Sequence, residues 1–404
     1  MSWNKVPLSS LVELITKGTT PTSVGYDFTD NGINFIKIES INLNGNFIKN
    51  KFAKIDKECN VALKRSQLKE GDILFSIAGA LGRTAIVTKE ILPANTNQAL
   101  AIIRLNDSNL ISKEFLIRVL TSESILNQVS LMKGGVAQQN LSLAQLKDFL
   151  IPLPSLATQN KIVAKLDAIF SQIDTAKAAA EANAKNAEAL FQSYLNEVFS
   201  SNENLTKLKD CTQIKPPKSE IKNLKGNTSV SFMPMESLGI NDKFTISKQS
   251  KDLESVSGSY TYFTEGDVLL AKITPCFENG KLGIASNLVN GIGFGSSEYI
   301  VFRPNKIIDK EWLYYFLNRE SFRVFGSQHM SGSVGHKRVT KEFVEETLIP
   351  LISVSKQKEF VDKIDNVFVQ SQILKSASNT KIRELKSLKQ SILQKAFSGE
   401  LVKD

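Results

Sequence analysis

Much of what usually marks an enzyme is missing from this 404-residue chain. It has two histidines, His329 and His336, and three cysteines, Cys59, Cys211 and Cys276, that lie far apart. Such an odd, scattered set argues against a disulfide framework or a zinc site, and no metal is expected. There is no GxxxxGK[ST] phosphate loop. The Asn-Pro-Pro-Tyr and Asp-Pro-Pro-Tyr tetrads that adenine methyl transfer uses are also absent. Gly291-Ile292-Gly293-Phe294-Gly295 has no following helix or distal acid to make a dinucleotide site, so it reads as a structural glycine-rich turn. Glu220-Ile221-Lys222 has nuclease-like spacing, but no Pro-Asp occurs anywhere to complete it. No apolar run reaches the roughly 18 residues that span a bilayer. The N-terminal MSWNKVPLSS lacks an apolar signal core. A cytoplasmic location without membrane contact is therefore expected.

What the chain does have is a long stretch, Leu156 to Phe199, without proline or glycine and rich in Ala, Leu, Lys, Glu and Gln. Apolar or small residues recur at Ile162, Leu166, Ile169, Ile173, Ala176, Ala180, Asn183, Ala187, Leu190 and Tyr194. Alternating steps of four and three predict the seam of a coiled coil, on a helix about 65 Å long at 1.5 Å per residue. The same spacing returns 198 positions later, at Phe360, Ile364, Val367, Ser371, Leu374, Ser378, Lys381, Leu385, Leu388 and Ile392. The flanks repeat too: Ile151-Pro152-Leu153 becomes Ile349-Pro350-Leu351, and Gln159 becomes Gln357. A repeat of this length predicts a duplicated unit, each copy a globular part followed by a long helix. The boundaries read as 1–155, 156–200, 201–353 and 354–404. If the two seams pair end to end and antiparallel, Ile162 meets Ile392, Leu166 meets Leu388, Ala187 meets Val367 and Asn183 meets Ser371.

The globular parts share a grammar. Ile33 to Ile41 and Gln98 to Leu105 read as strands, Glu114 to Gln128 as a helix. Glu70-Gly71-Asp72 before an apolar strand recurs as Glu265-Gly266-Asp267. The loops differ between copies. Lys17, Thr19, Thr20 and Thr22 face Lys215 and Lys218 in the alignment. Lys133, Gln138, Gln139 and Asn140 face Ser331, Ser333, His336, Lys337 and Arg338. Gln and Asn can pair with adenine and Lys or Arg with guanine, while hydroxyls and ammonium groups hold phosphates. A net charge of +9, carried by nine Arg and forty-one Lys among the basic residues, permits such a partner. These loops are the candidate DNA-binding residues, against the alternative of ordinary solvated turns.

The order of parts, with EGDILFSIAGALGRTAIV, GGVAQQNLSLAQLKDFLIPLPSLATQNKIVAKLDAIFSQID and LKSLKQSILQKAFSGELV, resembles the specificity subunit of type I restriction–modification systems. It departs at Ala157-Thr158-Gln159 and Ser355-Lys356-Gln357, where that family usually carries an acidic residue before the glutamine. The resemblance implies an α+β protein with two similar mixed α/β target recognition domains. Two long antiparallel coiled-coil helices would separate them, with a pseudo-two-fold internal repeat. It also implies a non-catalytic subunit that reads a bipartite site on double-stranded DNA. The helices would act as spacer and dock methyltransferase subunits, two in number, with restriction subunits in the full complex. No cofactor is expected in the subunit itself; S-adenosylmethionine, ATP and Mg would enter through its partners. A coiled-coil interaction protein without a DNA role, or a fused methyltransferase or nuclease, are the competing readings; the missing catalytic motifs argue against the second.

Overall fold

The computed structural model describes residues 3–42, 44–106, 110–132, 140–200, 204–333 and 335–402, with the side chains of 130–132 left aside. They fall into two compact units, Met1–Ala180 with Thr380–Asp404, and Glu181–Asn379.

In the first unit, β1 (Lys5–Pro7) is followed by β2 (Val12–Lys17), β3 (Ile33–Ile36), β4 (Ala53–Ile55), helix α1 (Lys57–Ala62), β5 (Ile73–Ser76), β6 (Thr84–Ile86), β7 (Ala94–Thr96) and β8 (Leu100–Leu105). Helices α2 (Lys113–Leu120), α3 (Glu123–Met132) and α4 (Leu143–Lys147) and strand β9 (Leu150–Pro152) lead into α5 (Leu156–Ser200). One sheet has the order β2-β8-β5-β6 and a second β4-β3-β7, while β9 returns to pair with β1. Strand β5 is buried on both faces. Ile73 and Phe75 join a core with α2 and the long helices, and Leu74 joins a core with Ile36, Leu100 and Ile102. Alternate residues of a strand point to opposite faces, so an unbroken apolar run is what a strand between two layers requires.

The second unit repeats this. It runs through β10 (Leu205–Lys207), α6 (Leu208–Cys211), β11 (Thr212–Ile214), β12 (Ser229–Met233), β13 (Phe244–Ile246), β14 (Gln249–Asp252), α7 (Leu253–Val256), β15 (Thr261–Thr264), β16 (Val268–Ala271), β17 (Leu282–Ser286), β18 (Ile292–Gly295) and β19 (Tyr299–Pro304). Then follow α8 (Lys310–Asn318), α9 (Glu320–Gln328), β20 (Met330–Ser331), β21 (Arg338–Val339), α10 (Lys341–Glu346), β22 (Leu348–Pro350) and α11 (Val354–Ser398). Its sheets have the orders β11-β19-β16-β17-β13 and β14-β12-β18-β15. Strand for strand these match the first unit, with β13 and β15 added at the edges.

Two polar devices recur as well. Asp72 takes a two-point ion pair from Arg104 at 2.7 and 2.8 Å, and Asp267 takes one from Arg303 at 2.9 and 2.8 Å. Both aspartates are almost wholly buried, so each needs its paired guanidinium. The glycine before each holds a left-handed φ, 86° at Gly71 and 83° at Gly266, which a Cβ would strain. The second device is the glutamine at the start of each long helix. Gln159 accepts the Ser112 N–H at 2.9 Å and donates to the Leu110 and Pro154 carbonyls at 2.8 and 2.9 Å. Gln357 accepts the Asp309 N–H at 2.7 Å and donates to the Ile307 and Ile352 carbonyls at 2.9 and 2.7 Å.

Several sequence expectations change. Ile33–Ile41 is not one strand: it stops at Ile36, and a short 3-10 turn, Ile38–Ser40, follows. The Ser40 hydroxyl accepts the Lys37 N–H there. The expected helix 114–128 breaks into α2 and α3, because the Thr121 hydroxyl bonds back to the Ile117 and Arg118 carbonyls and ends the turn. Gly291 does end a 3-10 turn, Val289–Gly291, but residues 292–295 form strand β18. Its Gly293 has no room for a side chain, since a Cβ would lie 2.0 Å from the Phe263 ring.

Within each unit the long helices run side by side and antiparallel. In the first, Lys389 reaches Asp174 at 3.2 Å and Lys165 donates to the Leu401 carbonyl at 3.0 Å. In the second, Lys375 reaches Glu188 at 2.9 Å and the Phe191 and Phe368 rings lie 5.1 Å apart. These partners do not fit the expected register, in which Ile162 meets Ile392 and Asn183 meets Ser371. Ile162, Leu166, Ile173 and Ile364 are buried, and Ile169, Val367, Leu385 and Ile392 pack at the margins of the cores. Asn183 is exposed, Leu190 is 61% exposed and Leu388 46% exposed. Of their successors, Phe191 is buried and Ala184 and Lys389 are half-buried. The reason is periodicity. Ile162 and Val198 are both buried, 36 residues apart, which is ten turns at about 3.6 residues each. A strict 3.5 repeat drifts by about 20° per heptad against that geometry, and by Leu190 it has left the buried stripe.

Candidate nucleic-acid interface

Strand order decides which loops meet. In the first unit Lys17 stands opposite Ala101, Phe75 opposite Ala101, and Phe75 opposite Thr84. The end of β2, the start of β8, the end of β5 and the start of β6 therefore lie at one end of the sheet. The 17–22 loop, the 97–99 turn and the 77–83 turn emerge there together. The Leu141 N–H donates to the Ile77 carbonyl, which brings the exposed Asn140 to the same end. Lys133, Gln138 and Gln139 lie outside the described residues.

The 17–22 loop is held by its neighbours. A Cβ at Gly18 would fall 1.8 Å from the Thr96 carbonyl oxygen, so only glycine permits this approach. The Thr20 hydroxyl donates to Gln98 Oε1 at 2.6 Å, and the Ser23 hydroxyl to the Thr20 carbonyl. Thr19 and Thr20 are half-buried, while Lys17 and Thr22 are exposed. The loop thus offers one ammonium and a hydroxyl to solvent from a fixed backbone. The neighbouring turn is anchored by Arg83, which donates to the Ile38 and Ile41 carbonyls at 3.2 and 3.0 Å.

The second unit builds the same end from different residues. Lys215 follows β11 in a left-handed conformation, φ 59°, and its N–H donates to the Val301 carbonyl. Strands β20 and β21 form a hairpin whose base is stitched to the 272–281 loop. The Thr274 N–H donates to the Lys337 carbonyl, and the Val339 N–H to the Lys272 carbonyl. Ser331, Ser333, His336, Lys337 and Arg338 are all exposed on this hairpin.

Two of the expected contact residues are already engaged. Arg338 makes a two-point ion pair with Glu298 at 2.9 and 2.8 Å and donates to the His336 carbonyl. That pair, aided by Lys272, holds the Glu298 carboxyl below its usual range. Lys218 donates to the Ser257 and Gly258 carbonyls, and burial together with the nearby Lys215 lowers its pKa. Arg338 and Lys218 therefore shape the surface, whereas Lys17, Lys215 and Lys337 present charge to solvent. The glycines of Gly79-Ala80-Leu81-Gly82 mark a turn in the sequence but not its place at this site, and sequence reasoning missed the 272–281 loop and the Glu298 partner. Nothing local marks their role; they reach the site only because β5 and β16 end at the same end of the sheet as β2 and β11.

Among the described residues no group of three or more His, Cys, Asp or Glu side chains could hold a metal ion. No described helix is long and apolar enough to cross a membrane.

Comparison with known proteins finds that residues 1–183 and 198–384 both match the family described as type I restriction modification DNA specificity domain. The chain is 33% identical over 165 residues to the specificity subunit of the type I restriction enzyme EcoAI from Escherichia coli, an alignment covering 41% of this chain and 28% of that subunit. The matched stretch thus spans under a third of that relative's length. The StySPI specificity subunit from Salmonella potsdam is 23% identical over 428 residues, covering 99% of this chain and 89% of the relative. A solved structure described as showing complex assembly and conformational transition of the type I R-M system aligns with a TM-score of 0.76 at 22% identity, over 99% of this chain and 98% of its own. The HsdS subunit from Thermoanaerobacter tengcongensis aligns with a TM-score of 0.59 at 22% identity, over 99% and 97%. At such identities the structural likeness establishes the fold, and the family rests on the two matched segments. With one sheet order, one buried Asp–Arg pair and one helix-clamping glutamine repeated in both matched segments, the chain belongs to the type I restriction modification DNA specificity domain family.

Proposed function

We propose that this chain is the DNA-recognition subunit of a type I restriction–modification complex, each unit reading one half of a bipartite site on double-stranded DNA. The observation that carries the reading is the gathering of the described candidate loop residues at one end of the main sheet in each unit, on scaffolds that agree while the loops differ. A shared frame with unlike polar loops suits two sites that read different sequences. The subunit is itself non-catalytic. Its long helices set the spacing of the half-sites and recruit two methyltransferase subunits, with restriction subunits in the full complex. S-adenosylmethionine, ATP and Mg act in those partners.

The exposed lysines divide by role. Lys17 and Lys215 hold phosphates, so Lys17→Ala and Lys215→Ala weaken binding to all sequences and flatten its salt dependence. Lys337, exposed beside β21, and Gln138 and Gln139 read bases, and removing a two-point hydrogen-bonded pairing with a base costs about 1–3 kcal/mol. The test is methylome sequencing of cells that express the chain with its methyltransferase partner, beside gel shifts of the purified complex. Lys337→Ala is expected to relax one half-site and leave the other intact. An unchanged methylation motif and unchanged salt dependence in all these variants would refute the assignment of the loops.

A further inference from the structure

The repeat allows one unit to be used as a reference for the other. Ser122-Glu123-Ser124 in the first corresponds to Arg319-Glu320-Ser321 in the second, where α3 follows α2 and α9 follows α8. At these matching places the two units are filled differently. In the second, the Arg319 guanidinium lies over the Phe316 ring, 4.1 Å from its centroid, and over the Phe199 ring at 5.2 Å. Its Nε donates to the Phe316 carbonyl at 3.0 Å. Among the described residues no carboxylate lies within ion-pair distance of Arg319, and burial lowers its pKa to about 10. The site is thus one for a planar cation held by rings and a carbonyl, an arrangement that favours guanidinium over ammonium.

In the first unit this place holds a cavity of about 330 Å³, walled by Val119, Ser122, Glu123, Gln394 and Phe397 among others. Phe397 corresponds to Phe199 and Val119 to Phe316. One ring of the wall, Phe397, therefore survives while the other has become Val119, and the side chain that would fill the space has been shortened to serine. Two buried polar atoms have been left without partners. Ser122 is 1% exposed, and its hydroxyl has no hydrogen bond. Gln390 Oε1 is also unpartnered, whereas its counterpart Gln192 accepts the Glu320 N–H at 2.9 Å. Buried polar groups without partners are costly, and that of Ser122, which lines the open cavity, points to something that enters it.

We infer that this cavity in the first unit is a binding site for a guanidinium group supplied from outside the chain, as Arg319 supplies one in the second. Phe397 offers the ring face, the Ser122 hydroxyl accepts a hydrogen bond, and the Glu123 carboxylate lies at the rim as countercharge. Lys5 and the first N–H groups of α3 also border the cavity, and these would favour an anion instead. The two chemistries are separable.

The test uses the full chain with methyl-labelled valine and follows Val119 by NMR. N-acetyl-argininamide is expected to shift that signal saturably, N-acetyl-lysinamide to do so much less, and inorganic phosphate not at all. Free zwitterionic arginine separates two sources: binding by the capped form alone indicates an arginine within a polypeptide, and binding by both a small guanidinium compound. Ser122→Arg is expected to abolish the response and raise the melting temperature, because the chain then fills its own cavity. Saturable binding of phosphate in place of the arginine probe would overturn the inference, as would silence towards every probe. A response to argininamide that persists undiminished in Ser122→Arg would do the same. Where that variant does not fold, the titration of the unaltered chain decides.

Discussion

Replacing Gln357 by alanine removes three hydrogen bonds at once from a side chain with no solvent exposure. It strips the Asp309 N–H and the Ile307 and Ile352 carbonyls of their partner. A buried polar group left unpaired costs about 1–3 kcal/mol, and the donor is less easily rescued than the carbonyls. The total comes to about 3–5 kcal/mol, against roughly 5–15 kcal/mol that holds a domain together. Asp309 also caps α8 through the Glu311 and Trp312 N–H groups, so the loss spreads to the helix carrying the buried Trp312. The sequence has two tryptophans, Trp3 in the first unit and Trp312 in the second. Urea unfolding followed by fluorescence in a Trp3→Phe background therefore reports on the second unit. Gln357→Ala should lower its midpoint strongly and speed hydrogen exchange at the Asp309 amide. Gln357→Glu adds a pH test. Its second oxygen would face two carbonyls where an N–H₂ had been, which raises its pKa above the ordinary value of about 4.3. A raised folded-state pKa contributes stability below the ordinary value and loses it as pH rises through the raised one. The glutamate variant should thus come closest to the parent at acid pH and fall away towards neutrality. A shift below about 0.5 kcal/mol, typical of surface changes, with unaltered exchange at Asp309, would refute the view that this glutamine clamps helix to domain.

Two further outcomes follow from the same geometry. Leu190→Glu, on the exposed face of α5, should change stability by less than about 0.5 kcal/mol, whereas Ala187→Leu should overpack the buried stripe at a cost of about 1–3 kcal/mol; thermal melts of both variants check the seam. Arg338 holds the Glu298 carboxyl below its usual range, so that pair adds stability above the ordinary carboxylate pKa and loses it as pH falls through the lowered value. Protection of the Val339 amide, taken relative to its intrinsic exchange rate, should fall on acidification below about pH 4, and Glu298→Gln should remove that dependence.

The repeat was legible because it is carried by residues with narrow requirements. Glu70-Gly71-Asp72 and Glu265-Gly266-Asp267 stand out in the sequence, and the left-handed glycines and buried aspartates explain why they recur. The arginines that pair with those aspartates were not legible. Arg104 and Arg303 lie a strand pairing away, and only the pairing of β5 with β8 and of β16 with β19 brings them close. The long helices were visible by composition, yet their facing residues were misjudged, because a 3.5 repeat and a 3.6 helix diverge slowly and the error shows only past Ala180. Gly291–Gly295 misled for another reason. Gly291 does serve a turn, but Gly293 makes room for Phe263 inside a strand, and that crowding comes from a strand thirty residues earlier. The candidate loops were found by their polar composition, but which of their cations are spoken for depended on Glu298 and on the 257–258 carbonyls, which sequence spacing does not connect to them.

The division of the chain has a consequence for the order of assembly. Leu393, Ala396 and Phe397 belong to the same core as Phe75, Phe115 and Ile162. Residues 181–379 hold everything the second unit contains, whereas the first needs both ends of the chain. The two units are nested like brackets, the inner pair closing before the outer one. On a ribosome, which delivers a chain from its N-terminus, the first of these two units to emerge is the later to be completed. Its apolar surface around Phe115 waits for Phe397, the ring it meets at 5.6 Å. Loss of the last two dozen residues would then fall on the N-terminal unit and spare the one next to the break.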